Sequence, residues 1–169
     1  MRIAGTLLAA ASADLNPSSL VVWAVKPQTF KEAALASAPH LKDALHLSVA
    51  AGITSESMAG WLGTQRIVRA MPNTPALVGQ GMTGLFARAE VSADERAAIE
   101  GMVSSTGAHL WVAQEADLDA VTALSGSGPA YVFYFIEAMM QAAQDMGLSA
   151  MSRARSRRCW TRDRYIFGK

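Results

Sequence analysis

Short apolar, β-branched runs recur between segments of helical composition, and this alternation constrains the chain more than any other feature. LVVWAV (residues 20–25) opens the series. A run so short and so uniformly apolar reads as a strand buried on both faces, the usual condition in a parallel sheet. It ends at Lys26-Pro27, and TFKEAALASAPHL then has helical composition. LHLSVAAG (45–52) reads as a second buried strand, and ITSESMAGWLG follows with Thr54 or Ser55 placed to cap a helix and Gly63 to stop it. RIVRAMP (66–72) and GMTGLFAR (81–88) supply two more strands. In SADERAAIEGMVSSTG, Ser92 and Glu95 stand at capping-box spacing with Gly107 as terminator, and AHLWVA (108–113) closes the pattern. The expectation is an open α/β sheet.

Ligands of such sheets lie outside the carboxyl ends of the strands. The residues to inspect are therefore Lys26-Pro27-Gln28, Ala50-Ala51-Gly52 and Met71-Pro72-Asn73-Thr74-Pro75. A lysine after a buried strand offers a point charge to a phosphate or carboxylate, and Ala-Ala-Gly lets a flat ring approach the backbone. Tight turns beside an exposed lysine would look the same. A dinucleotide fold normally opens with a strand and a glycine-rich turn feeding a helix, yet the sequence contains no G-x-G-x-x-G. GSG at 126–128 comes too late and precedes an unusually apolar helix.

That helix lies in LSGSGPAYVFYFIEAMMQAAQDMG (124–147). Ser127, Gly128 and Pro129 make its start, with proline in the first turn where its missing N–H costs nothing, and Gly147 makes its stop. Tyr131, Val132, Phe133, Tyr134, Phe135, Ile136, Met139, Met140 and Met146 cover most of its circumference. A helix apolar all round is a buried one. Glu137, Gln141 and Asp145 interrupt the run, which falls short of the about 18 to 20 apolar residues of a membrane span.

At 169 residues and 51% hydrophobic, the chain suits one globular domain, or a small domain and part of another. MRIAGTLLAAASA imitates a secretory leader but ends before the about 15 to 30 residues such leaders need. The single Cys159 excludes an internal disulfide framework and fits a reducing, cytoplasmic setting. The net charge of +1 hides a splice of two compositions. From Met151 onward 6 Arg, 1 Lys and 1 Asp give +6, leaving 8 basic and 13 acidic residues, a net of −5, in the first 150. Such a tail could serve as a nucleic-acid arm with Trp160 and Tyr165 as stacking groups. Its lack of helical period or turn logic favours an aberrant end over that reading.

VVWAVKPQ, SVAAGIT, RIVRAMPNTPALVGQGMTGLFA and DAVTALSGSGPAYVFYFIEAMMQAAQDMGL stand in the order and at the spacing of pyrroline-5-carboxylate reductase. The chain resembles that family over roughly residues 15 to 149. The resemblance implies an oxidoreductase that reduces the C=N bond of 1-pyrroline-5-carboxylate to L-proline with hydride from NADPH or NADH. It implies a cofactor-contacting turn at Ala24, Val25, Lys26 and Pro27, with Ala51 a small residue beside the nicotinamide. It puts Asn73 and Thr74 in an M-P-N-T-P loop near the nicotinamide end of the cleft, and Glu115 near the substrate. No catalytic side chain is assigned and no metal is implied. The helix 129–146 becomes the first long helix of a homodimer or higher-oligomer core.

Against that family, the chain reads as an incomplete dinucleotide-binding domain (1–113), the start of a helical dimerisation domain (114–150) and an aberrant basic tail (151–169). The fold expected is a partial Rossmann-like, doubly wound α/β sheet lacking its first strand and glycine turn. Met1 reads as an internal start, and the change after Ala150 as a shift of reading frame, since the alternate frame of GC-rich Ala/Leu codons is rich in Arg. Three functions follow: a truncated reductase of little or no activity; a non-catalytic module pairing with a full-length subunit through helix 129–146; and a basic-tailed nucleic-acid binder.

Overall fold

The computed structural model describes residues 19–152 and 154. Five strands form one sheet in sequence order: β1 (Leu20–Trp23), β2 (Leu45–Ser48), β3 (Ile67–Met71), β4 (Gly81–Ala87) and β5 (Gly107–Trp111). β1, β2 and β3 are parallel, joined through α1 (Pro27–Ser37) and α2 (Ser55–Leu62). β4 then turns back antiparallel to β3, with Arg69 opposite Phe86, and β5 runs parallel to β4 after α3 (Ala93–Val103). The reversal follows from chain length. Residues 72–80 hold only a 3-10 turn at Thr74–Val78, whereas a parallel crossover takes about a dozen residues or more. The sheet is therefore mixed, not parallel throughout.

β2, β3 and β4 are buried on both faces, as their apolar runs require, whereas β1 exposes Val22 and β5 exposes Leu110, so among the described residues the run LVVWAV forms an edge strand and not one covered on both faces. Within β3, Ile67 packs with Trp23, Phe30, Met58 and Leu62 against α1 and α2. Val68, one residue on, packs with Leu47, Leu85, Ile99 and Val103 on the opposite face beneath α3. Thr54, not Ser55, is the N-cap of α2; its hydroxyl accepts from the Ser57 N–H, and Gly63 at φ 69° ends the helix. α3 carries the complete Ser92–Glu95 capping box. Gly107 does not stop α3 directly: a 3-10 turn at Ser104–Thr106 intervenes, and Gly107 opens β5. There φ is 134° and a Cβ would lie 2.2 Å from the Gly81 carbonyl oxygen, so only glycine fits where β4 and β5 begin.

The described residues form two compact units, one through Gly126 and one from Ser127. The first unit includes α4 (Asp117–Val121) and the π-helical turn Thr122–Gly126. α4 packs on β4 at Gly84, where a Cβ would lie 2.8 Å from Val121 Cγ1, and Leu118 is fully buried. In the second unit, α5 (Gly128–Asp145) has Pro129 in its first turn. It ends at Gly147, φ 84°, whose N–H bonds the Gln144 carbonyl while Leu148 N–H bonds that of Ala143. Among the described residues no helix is long and apolar enough to cross a membrane. The leader-like start, Cys159, Trp160, Tyr165 and most of the basic tail lie outside the described residues.

Candidate functional site

Parallel pairing of β1, β2 and β3 puts three turns along one edge of the sheet. Trp23 stands opposite Ser48, and Ser48 opposite Arg69, so the strands end side by side. Ala24, Val25, Lys26 and Pro27 follow β1, all exposed, with Lys26 as N-cap of α1. Ala51 follows β2 and is exposed beside Gly52, whose φ of 75° only glycine adopts freely and around whose position a Cβ would meet nothing within 4 Å. Asn73 and Thr74 follow β3. Asn73 is half-buried and both ends of its amide are engaged: Oδ1 accepts from the Met82 N–H at 2.9 Å, and Nδ2 donates to the Ser125 carbonyl at 3.1 Å. It ties its loop to the start of β4 and to the π-helical turn, while Thr74 is exposed.

Glu115 comes from elsewhere, the connection after β5, and reaches the first turn of α2. One carboxylate oxygen accepts from the Ser55 backbone N–H at 2.6 Å and from Arg69 Nη1 at 2.7 Å; the other accepts from the Ser55 hydroxyl at 2.5 Å. Arg69 is 8% exposed, so this is a largely desolvated ion pair. Beyond Ser55 the network continues. Arg88 donates to the Ser55 hydroxyl at 3.1 Å and to Gln65 at 2.6 Å, and pairs with Glu56 at 3.0 Å. Burial pushes the Glu115 carboxyl up, but the Ser55 hydroxyl and amide and the Arg69 guanidinium outweigh it and hold the group below its ordinary 4.5. Glu115, Arg69, Gly52, Thr54, Ala116 and Asp119 line a cleft of about 420 Å³.

The structure thus joins Glu115 to the turn that carries Ala51, and Asn73 to the π-helical turn. Sequence reading missed Arg69, Ser55 and Arg88. Arg69 did leave a signal, because a charge inside an apolar strand run demands a partner.

A family model described as pyrroline-5-carboxylate reductase dimerisation matches residues 115–157. A pyrroline-5-carboxylate reductase of Pseudomonas aeruginosa is 48% identical over 140 residues, which cover 82% of this chain and 51% of that protein. The structure of a pyrroline-5-carboxylate reductase from Coxiella burnetii is similar at TM-score 0.76 and 37% identity, over 85% of this chain and 54% of that one. The Plasmodium falciparum pyrroline carboxylate reductase with NADP bound superposes at TM-score 0.78 and 30% identity, over 88% of this chain and 56% of that one. The chain spans about half the length of the curated relatives it matches. Over that half it has the family's sequence, a Rossmann-like sheet and a segment that matches the dimerisation model, and the chain belongs to the pyrroline-5-carboxylate reductase family.

Proposed function

We propose that the chain carries the cofactor-facing turns and the first dimerisation helix of an NAD(P)H-dependent oxidoreductase that reduces 1-pyrroline-5-carboxylate to L-proline. The observation that carries this reading is the alignment of Ala24, Val25, Lys26, Pro27, Ala51, Asn73 and Thr74 after the carboxyl ends of three adjacent parallel strands. These residues fit the nicotinamide end of NADPH or NADH. Ala24 and Ala51 are small and exposed, the space over Gly52 is open to a flat ring, and Lys26 is an exposed cation suited to a phosphate. The bound cofactor supplies the hydride. Asn73 holds its loop beside the π-helical turn, and Glu115 borders the substrate side of the cleft it shares with Gly52.

An imine accepts hydride far better once its nitrogen is protonated, so the reaction needs a proton source and a holder for the substrate carboxylate. Glu115, held ionised by Ser55 and Arg69, is not that proton source near neutral pH. The chain spans about half the length of its relatives, and little or no turnover is expected of this half alone. A cytoplasmic setting fits its lone cysteine. The test is oxidation of NADPH by the purified chain with and without pyrroline-5-carboxylate. Substrate-dependent turnover overturns the inactive reading; none from a folded sample supports it.

A second reading, a module that pairs with a full-length reductase subunit, is favoured by α5, whose Tyr131, Phe133, Tyr134 and Phe135 are each at least 60% exposed. Co-purification of the two chains, abolished by charged substitutions on α5, is the outcome expected of it.

A further inference from the structure

The amide at the positive end of α2 points at a carboxylate of the same chain. Glu115 takes the Ser55 N–H, the position an external anion would occupy at a helix N-terminus, and takes the Ser55 hydroxyl and the Arg69 guanidinium as well. These three donors come from two elements, α2 and β3, and the acceptor from the connection that leads into α4. We infer that Glu115 is a positioning residue: its ionised carboxylate latches the segment after β5 to the first turn of α2 and so fixes the turn at residues 51–55. That this turn faces a cofactor rests on the reductase reading above; the latch itself does not.

Charge is needed as well as shape. A glutamine in the same place would keep one acceptor oxygen and turn its NH2 group toward either the Ser55 donors or Arg69. Arg69, 8% exposed, would then lack a counter-charge. The neighbouring charges are Arg69 from β3, Arg88 after β4 acting through the Ser55 hydroxyl, Glu56 from α2 paired with Arg88, and Asp119 from α4 on the wall of the same cleft.

The experiment is an amide-resolved pH titration of the full chain, isotopically labelled, with Glu115→Gln and Ser55→Ala beside it. The Ser55 amide resonance is expected to follow a carboxyl titrating below 4.5, to lose that titration in Glu115→Gln, and to exchange with solvent at least tenfold faster in that variant. Ser55→Ala keeps the amide and removes the hydroxyl, so its midpoint should rise towards the ordinary value, a reading available even if Glu115→Gln does not fold. A Ser55 amide whose titration survives in Glu115→Gln, or a midpoint unmoved in Ser55→Ala, overturns the latch. NADPH added to the same samples separates the two ideas. If it shifts the residue 51–55 amides of the native chain and Glu115→Gln needs at least tenfold more of it, the latch serves the cofactor; equal affinity in the variant overturns that service. If NADPH leaves the native resonances in place, the reductase reading of this turn fails, and the latch stands or falls on the titration.

Discussion

His46 sits in β2 with no exposed surface, and its partners fix its protonation. Trp23 Nε1–H can only donate, and it donates to Nδ1 at 2.9 Å, so the imidazole hydrogen lies on Nε2, which donates to the Leu41 carbonyl at 3.2 Å. A second proton would have to enter between Nδ1 and the indole N–H. Burial lowers the His46 pKa, the Leu41 carbonyl opposes this, and the charge of Arg66 adds to the lowering. The unfolded chain, with a value near 6.5, therefore binds this proton before the folded chain does. Stability should be full above 6.5 and fall as the pH drops towards the folded value, by at most about 1.4 kcal/mol per pH unit for one proton. Urea midpoints at successive pH values check this, and His46→Gln, which can still accept from Trp23, should flatten the dependence. Neither His46 nor the Arg69–Glu115 pair was legible as a contact in the sequence. Their partners lie 23, 46 and 60 residues away, and periodicity reports which side chains are buried without saying whom they meet. Residues defined by place alone were more legible: Lys26, Ala51 and Asn73 lie in the turns that follow β1, β2 and β3.

Among the elements, α3 was the most completely written. Ser92 Oγ accepts from the Glu95 N–H, the Glu95 carboxylate accepts from the Ser92 N–H, and Arg66 reaches Glu95 from the strand side. Although burial pushes the Glu95 carboxyl up, the Ser92 N–H and Arg66 hold it below its ordinary value. Ser92→Ala removes one side of this box and should cost about 1 kcal/mol, read as a lower urea midpoint with unchanged slope; Ser92→Thr or Ser92→Asp should restore most of it. The strands were legible too, but as runs longer than the ladders. LVVWAV pairs only through Trp23 and LHLSVAAG only through Ser48, because a ladder stops where the chain leaves for its next turn. Strand direction was not in the runs at all. A buried strand is apolar on both faces in either orientation, and the evidence for the reversal of β4 lay in the shortness of residues 72–80, a property of the gap and not of the strand. α4 escaped notice for a related reason. It is a five-residue helix continued by a π-helical turn, and an element this short shows no helical period.

Across the whole chain the two units bury their apolar surface very differently. The sheet unit buries an apolar cluster on each of its faces, while α5 buries only Ile136 and leaves Val132, Met139 and Met140 half-buried. Tyr131, Tyr134 and Phe135, spaced i, i+3, i+4, form a second apolar stripe, and Tyr134 is 76% exposed. Two apolar stripes with one of them in water favour a covering surface, and the family model that matches residues 115–157 is described as a dimerisation model. β1 adds to the pressure: it pairs only with β2 among the described residues and exposes Val22 at 48%. The chain is therefore expected to self-associate, with a sedimentation mass that rises with concentration. If α5 is the cause, Tyr134→Glu with Phe135→Glu should shift that mass to the monomer without lowering the urea midpoint of the sheet unit, because both side chains are exposed in the single chain. Association that survives the double variant would move the cause to the β1 edge, where Val22→Lys is the corresponding change. A native chain that stays monomeric at every concentration and unfolds cooperatively would show that neither exposed surface drives assembly.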